Sequence, residues 1–280
     1  MDGSHVGAGA PAVDLQVATG DKIQVAVSVP PQAFLVDRIG GDRVEVQVMI
    51  PPGTSPAVYE PSPRQLVALS RARLFVKVGH PHFLFEETHL DGVLDRLPNV
   101  VVVEMVGGGD GHPGTESLED PHVWLSPPAM IETAVEIAKA LAQIDPGQAA
   151  DYRQRLERLL EEIDRTDAAV RELLAPLEER SFVVFHPAWG HFAREYRLEQ
   201  RPIEQEGKEP SPARLVQLIE VARVSDVRVI FVQEGFSDQG ARVIANEVGA
   251  EVRALDPLAH DWPENLIQVA TDLRAALAGH

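Results

Sequence analysis

Two rhythms of apolar and polar residues run along this chain. Short apolar stretches of four to seven residues alternate with longer stretches in which apolar side chains recur every third or fourth position, the marks of strands and of amphipathic helices. In the first half the spacing predicts strands over 23–29, 44–50, 74–78 and 100–105, with helices over 32–39, 64–70, 85–94 and 128–144. After position 176 the alternation resumes, with strands over 181–185, 201–204, 227–233 and 251–255 and helices over 188–196, 212–224, 239–248 and 265–277. Strands that alternate with helices imply parallel sheets joined by right-handed crossovers. Both halves therefore read as α/β.

The run between them, 145–176, is of a different kind. Tyr152, Leu156, Leu159, Leu160, Ile163, Val170, Leu173 and Leu174 fall on one apolar stripe, and charged residues fill the other faces. Asp145 is placed to cap this helix with Pro146 as its first residue, and Pro176 stops it. Such a helix would reach roughly 45 Å at 1.5 Å per residue, longer than a compact lobe needs. It reads as a strut, since too few heptads are present to sustain a coiled coil. The expected organisation is a disordered leader over 1–20, an N-terminal lobe over 21–144, a linking helix over 145–176 and a C-terminal lobe over 177–280. The small, polar leader lacks the charged-then-apolar order of a signal peptide.

Composition narrows the chemistry more than it does the fold. The chain has 280 residues, enough for two lobes, and an ordinary 44% of hydrophobic residues. No apolar run approaches the eighteen or so residues needed to cross a bilayer. A net charge of −18 argues against nucleic acid as a partner and favours cations near the surface. With no cysteine, thiolate sites and disulfides are excluded, so the ten histidines must carry any borderline-metal chemistry.

Open α/β sheets bind ligands beyond the carboxyl ends of their strands, which directs attention to the residues just past each strand. His80 and His82 follow the third strand, His122 follows the glycine-rich loop 107–114, His186 follows Phe-Val-Val-Phe, and Asp256 follows Val-Arg-Ala-Leu. Imidazoles and one carboxylate, drawn from equivalent strand ends in both halves, suit a cation such as zinc.

The segments PPGTSPAVYEPSP, DPHVW, VVFHPAWGHFAREY, GKEPSP and ALDPL resemble, in order and spacing, the metal-binding solute-receptor proteins of zinc and manganese ABC importers, over about 22–278. The resemblance implies two α/β lobes of parallel sheet flanked by helices, joined by one long rigid helix, with the metal in the cleft between lobes. It implies that His122, His186 and Asp256 are ligands. It further implies a monomeric receptor outside the cytoplasm, periplasmic or extracellular, its signal trimmed, working with a membrane ABC permease. One departure matters: the family's first ligand histidine falls where this chain has Ala57, which cannot bind metal. Water completes the site, or His80 or His82 replaces the missing imidazole. Zn2+ is favoured over Mn2+ because manganese receptors tend to carry a carboxylate where His186 stands.

Blander roles suit the remaining candidates. His112, with Asp110 and Glu116, reads as a solvated turn; His191 as packing or support for the site; His89 as surface; and His260-Asp261-Trp262 as a surface turn. Glu60 and Glu209 fit loop-fixing contacts, Glu234 a cleft rim, and Trp124 and Trp189 packing around the site; His5 and His280 are terminal. A competing class is a zinc hydrolase with an open coordination position, since two histidines and an aspartate also describe a catalytic zinc. Against it stand the lack of a His-Glu-x-x-His helix and of a paired carboxylate to serve as base. Gly107–Gly109 lacks the lysine of a phosphate loop.

Overall fold

Ile23–Val27 forms β1, buried along almost its whole length, as a central parallel strand must be. It lies between β2 (Val44–Val48) and β3 (Leu74–Lys77), and β3 pairs in turn with β4 (Val101–Glu104), all parallel, in the order β2-β1-β3-β4. The second sheet has the same wiring: β5 (Ser181–Val184), β6 (Glu199–Pro202), β7 (Val229–Gln233) and β8 (Glu251–Leu255) lie parallel in the order β6-β5-β7-β8. The computed structural model describes residues 21–105, 120–204, 210–225, 227–233 and 238–278. The leader, the 107–114 loop with Asp110 and His112, and Glu116, Glu209, Glu234 and His280 lie outside the described residues.

Helices cover the sheets. In the first lobe these are α1 (Pro30–Gly40), α2 (Pro63–Arg71), α3 (Leu84–His89), α4 (Asp91–Leu94) and α5 (Pro127–Ile144). The strut is α6 (Ala149–Leu174), followed by α7 (Gly190–Glu195), α8 (Pro212–Val224), α9 (Gln239–Val248) and α10 (Trp262–Leu277). Prolines in the first turn open α1, α2, α5, α8 and α10, where a missing N–H costs nothing. Ser62, Ser126 and Ser211 cap α2, α5 and α8 through their hydroxyls.

The strut spans 26 residues, about 39 Å at 1.5 Å per residue. It packs against α1, α5 and α10, so both lobes lean on it. Its buried face is Tyr152, Leu159, Ile163, Thr166, Val170 and Leu174, with Leu156, Leu160 and Leu173 half-buried beside them. Thr166 is buried because its hydroxyl donates back to the Glu162 carbonyl at 2.9 Å.

Four expectations need correction. Asp145 does not cap the strut: Arg43 donates to its Oδ2 at 2.8 Å and the Tyr152 hydroxyl at 3.2 Å, so the carboxylate is already engaged. A 3-10 turn over Pro146–Gln148 intervenes before α6 begins. The 85–94 helix is two short helices, because Leu90 breaks the first to bury its side chain fully. The strand expected over 201–204 is β6, Glu199–Pro202, and Trp262 is no surface residue but a fully buried one that opens α10.

Candidate metal centre

The carboxyl ends of both sheets face a common cleft, and its residues come from four strand ends and one connecting segment. His122 leads into a 3-10 turn over Val123–Leu125 that precedes α5. His186 lies two residues beyond β5. Their rings meet across the cleft, with centroids 5.3 Å apart and planes 79° to one another.

A carboxylate stands behind each ring. Asp120 Oδ1 lies 2.6 Å from His122 Nδ1 and also accepts the His122 backbone N–H at 3.0 Å. Glu204 carboxylate oxygens lie 3.3 and 3.4 Å from His186 Nδ1. A carboxylate facing Nδ1 favours the proton there and makes Nε2 the lone-pair nitrogen, the arrangement by which metal-binding imidazoles are oriented. Burial alone would raise the Asp120 carboxyl, but His122 beside it holds it below the usual carboxylate range.

Sequence reasoning assigned no role to Asp120 or Glu204. The signals were present in part. Asp120 stands two residues before His122, and the β5–β6 register, Val184 opposite Pro202, carries on to set His186 beside Glu204. Ladder bonds from Ile203 N–H to Val184 O (2.9 Å) and from Glu204 N–H to Phe185 O (3.0 Å) continue that pairing. Asp120 Oδ2 is buried without a hydrogen-bond partner and lies against Gly190, where a Cβ would come within 2.5 Å of it.

Asp256 follows β8, half-buried. Its Oδ1 accepts the Leu258 N–H at 2.8 Å, and its carbonyl accepts from Asn265 Nδ2 at 2.7 Å. It joins the site through two indoles. Trp124 packs edge-on to His122 at 5.3 Å and donates Nε1–H to the Pro257 carbonyl at 2.6 Å, while Trp262 donates to the Trp124 carbonyl at 2.8 Å. Trp124 thus packs against His122, and Trp262 belongs to the same buried pair.

His80 and His82 separate in character. His80 is half-buried, and Asp120, His122 and His191 all act on it electrostatically; burial lowers its pKa below the ordinary histidine value. His82 is exposed, its ring 5.7 Å from that of His80. The His82 N–H donates to His80 Nδ1 at 3.2 Å, which puts the His80 proton on Nε2. Ligation through Nε2 therefore exchanges that turn bond for a proton at Nδ1. Ala57 is exposed on the loop before α2.

His191 is buried and fully used: it donates Nε2–H to the Asp120 carbonyl at 2.9 Å, and Nδ1 accepts from Arg194 Nη2 at 2.6 Å. Exposed His260 pairs with Asp37 of α1 at 3.0 Å, and His89 lies against Phe85 at 5.5 Å. Among the described residues, no three His, Asp or Glu side chains converge closely enough to hold an ion as they stand. His122 and His186 are together, and His80 is near enough to His122 to feel its charge.

Known proteins share this fold. A solved structure described as that of ZnuA matches with a TM-score of 0.85 and 40% identity, over 91% of this chain and 99% of that one. The high-affinity zinc uptake system protein ZnuA of Bacillus subtilis (strain 168) is 28% identical over 257 residues, 85% of this chain and 79% of its own. The zinc-binding lipoprotein AdcA of Streptococcus pneumoniae (serotype 4) is 28% identical over 255 residues, 85% of this chain; the chain spans only 50% of that relative's length. The family model for the periplasmic component A of zinc-uptake complexes matches residues 25–276, and the chain belongs to that family.

Proposed function

We propose that this chain is an extracytoplasmic receptor that captures a divalent transition metal, zinc before manganese, and delivers it to an ABC permease. The observation that carries this is the pair His122 and His186, presented from opposite lobes with their rings 5.3 Å apart and a carboxylate behind each Nδ1. Imidazole donors favour zinc, while manganese prefers more oxygens. His122, His186 and Asp256 are the core ligands in this reading, and His80 takes the fourth position in place of the imidazole that Ala57 lacks. His82, exposed at the rim, is the alternative fourth donor. The metal is cargo, and members of this family are transport receptors, not enzymes, so the hydrolase reading is set aside.

Capture then requires closure. Asp256 turns from the Leu258 N–H towards the ion, His80 changes tautomer, and the lobes shift slightly about the strut. A helix packed along most of its length allows small shear more readily than a wide hinge. The lobes are assigned to 21–144 and 177–280, linked by 145–176, and the receptor acts as a single chain outside the cytoplasm. Protons compete for the imidazoles, so affinity falls as pH falls.

Competition titration of chelator-stripped protein tests the reading. Zinc is expected to bind one ion per chain and to displace manganese. His186→Ala is expected to weaken zinc at least tenfold, as loss of one of few inner ligands should. Parent-like affinity in that variant overturns the site.

A further inference from the structure

Glu86 has no part in the ligand set, yet it is among the most deeply buried charged residues described, with 2% of its surface exposed. Its carboxylate gathers three donors from the carboxyl ends of two adjacent strands. Oε1 accepts the Val78 N–H at 2.6 Å and the Ser28 hydroxyl, and Oε2 accepts the Gly79 N–H at 2.9 Å. Ser28 follows β1, and Val78 and Gly79 follow β3, immediately before His80. Without this acceptor, two backbone N–H groups where the chain leaves the sheet would lose the hydrogen bonds that Glu86 gives them, at a cost of about 1–3 kcal/mol for each that is buried and finds no other partner.

The turn that follows has little else to fix its direction. Gly79 has φ +70, and a Cβ there would stand 3.0 Å from Glu104 Cβ. The bond from Phe83 N–H to the His80 carbonyl, 2.9 Å, closes the turn on itself. The Ser28 hydroxyl can donate or accept, but the two backbone N–H groups only donate and favour the ionised Glu86 carboxylate. Burial pushes its pKa up, and the Ser28, Gly79 and Val78 donors, with Lys77 nearby, oppose that rise.

We propose that Glu86 is a positioning residue for metal capture, its carboxylate anchoring Val78 and Gly79 so that His80 is held towards the His122–His186 pair. This rests on the metal reading above, in which His80 is a ligand. The test is a double-mutant cycle on the full chain, stripped of metal, with zinc affinity read by competition and the cobalt(II) absorption spectrum as a second readout. Glu86→Gln keeps the shape but turns an amide against an N–H. It is expected to weaken zinc on the order of tenfold, the usual effect of losing a group that orients a ligand, and to shift the cobalt spectrum towards that of His80→Ala. In the His80→Ala background the same change should have no further effect.

If Glu86→Gln binds zinc like the parent while His80→Ala is weakened, the proposal is overturned and the ligand reading stands. If Glu86→Gln is weakened equally with and without His80, its effect is general to the fold, which also overturns it. Parent-like binding by His80→Ala removes the ligand reading itself, and the proposal with it. Should Glu86→Gln not fold, Gly79→Ala disturbs the same turn from its other side and is read by the same outcomes.

Discussion

The two lobes share one strand order and differ in how they are filled. In the first, β1 and β3 are buried nearly throughout, and α1 buries Phe34, Leu35, Val36 and Ile39 together. That core runs without interruption through α5, α6 and α10 and reaches Phe182, Val184 and Phe231 on one face of the second sheet. The other face of the second sheet has a separate cluster of Phe185, Ile203, Ala222, Ile230, Ala241, Ile244 and Ala245. Over it lies α8, which buries Ala222 alone and leaves Val216, Val221 and Val224 exposed. A helix that buries so little gains little from packing, and most helical stability comes from packing. The molecule is thus a rigid frame that includes half of the second lobe, with α8 and α9 as a thin outer layer. His122 belongs to the frame, and His186 sits where frame and layer meet.

Breaking the join between lobes should have the largest effect. Trp262 is fully buried, stacks on Phe34 of α1 at 6.4 Å and donates to the Trp124 carbonyl. Trp262→Ala is expected to lower stability by about 3–5 kcal/mol, the range for a large buried aromatic. If the frame is one unit, calorimetry should show the second lobe melting apart from the first in this variant. A single transition shifted by under 1 kcal/mol would place the join elsewhere.

The same side chain removed from frame and layer measures their difference directly. Ile39 of α1 and Ile244 of α9 are both almost fully buried. Ile→Ala costs about 2–5 kcal/mol according to how well the cavity collapses. Ile39→Ala should fall near the top of that range and Ile244→Ala near the bottom, by urea denaturation. Amide exchange should likewise release α8 and α9 before α1, α5 and α6. Equal costs would remove the distinction between frame and layer.

The backing carboxylates extend the comparison to the site. Asp120 touches its ring at 2.6 Å and Glu204 at no closer than 3.3 Å. Both Asp120→Asn and Glu204→Gln should weaken zinc within the roughly 10–100-fold expected for such partners, Asp120 more than Glu204. The reverse order, measured by competition, would show that the second lobe governs the orientation of the pair.

Much of this was legible in the sequence because strand–helix alternation and the strut's apolar stripe are local signals. All eight strands and the strut were anticipated, and the strand-end rule picked out His186, which the fold brings against His122 from the connecting segment before α5. What escaped depends on packing between distant segments. Trp262 beside His260 and Asp261 looked like a polar turn, and nothing local says that it reaches Trp124. Glu86 stands three residues after Phe83 and four before Leu90, on the apolar side of its helix, and that spacing was its only local sign of burial. The Asp145 cap failed because Arg43, remote in sequence, already holds that carboxylate. Whether Asp256 and His80 close on an ion depends on side-chain movements that no spacing records.

The smallest effect concerns pH, and it isolates the frame from the metal. His191 of α7 reaches across to the Asp120 carbonyl while its Nδ1 accepts from Arg194, so both nitrogens are engaged only in the neutral ring. Protonation would set an imidazolium against a guanidinium. Burial, first of all, lowers its pKa below the ordinary value; Asp120 opposes this, and Arg194 and His122 add to it. The unfolded chain therefore takes up a proton near pH 6.5 that the folded chain refuses. Its contribution is fully present above that pH and is lost progressively as pH falls towards the folded value, by no more than about 1.4 kcal/mol per pH unit. Metal-free parent protein should lose urea resistance between pH 7 and pH 5. His191→Phe, destabilised at every pH by the partners it abandons, should show a flatter slope over that range. Parallel slopes for parent and variant would mean that His191 titrates alike in both states and that its two bonds do not hold the neutral ring.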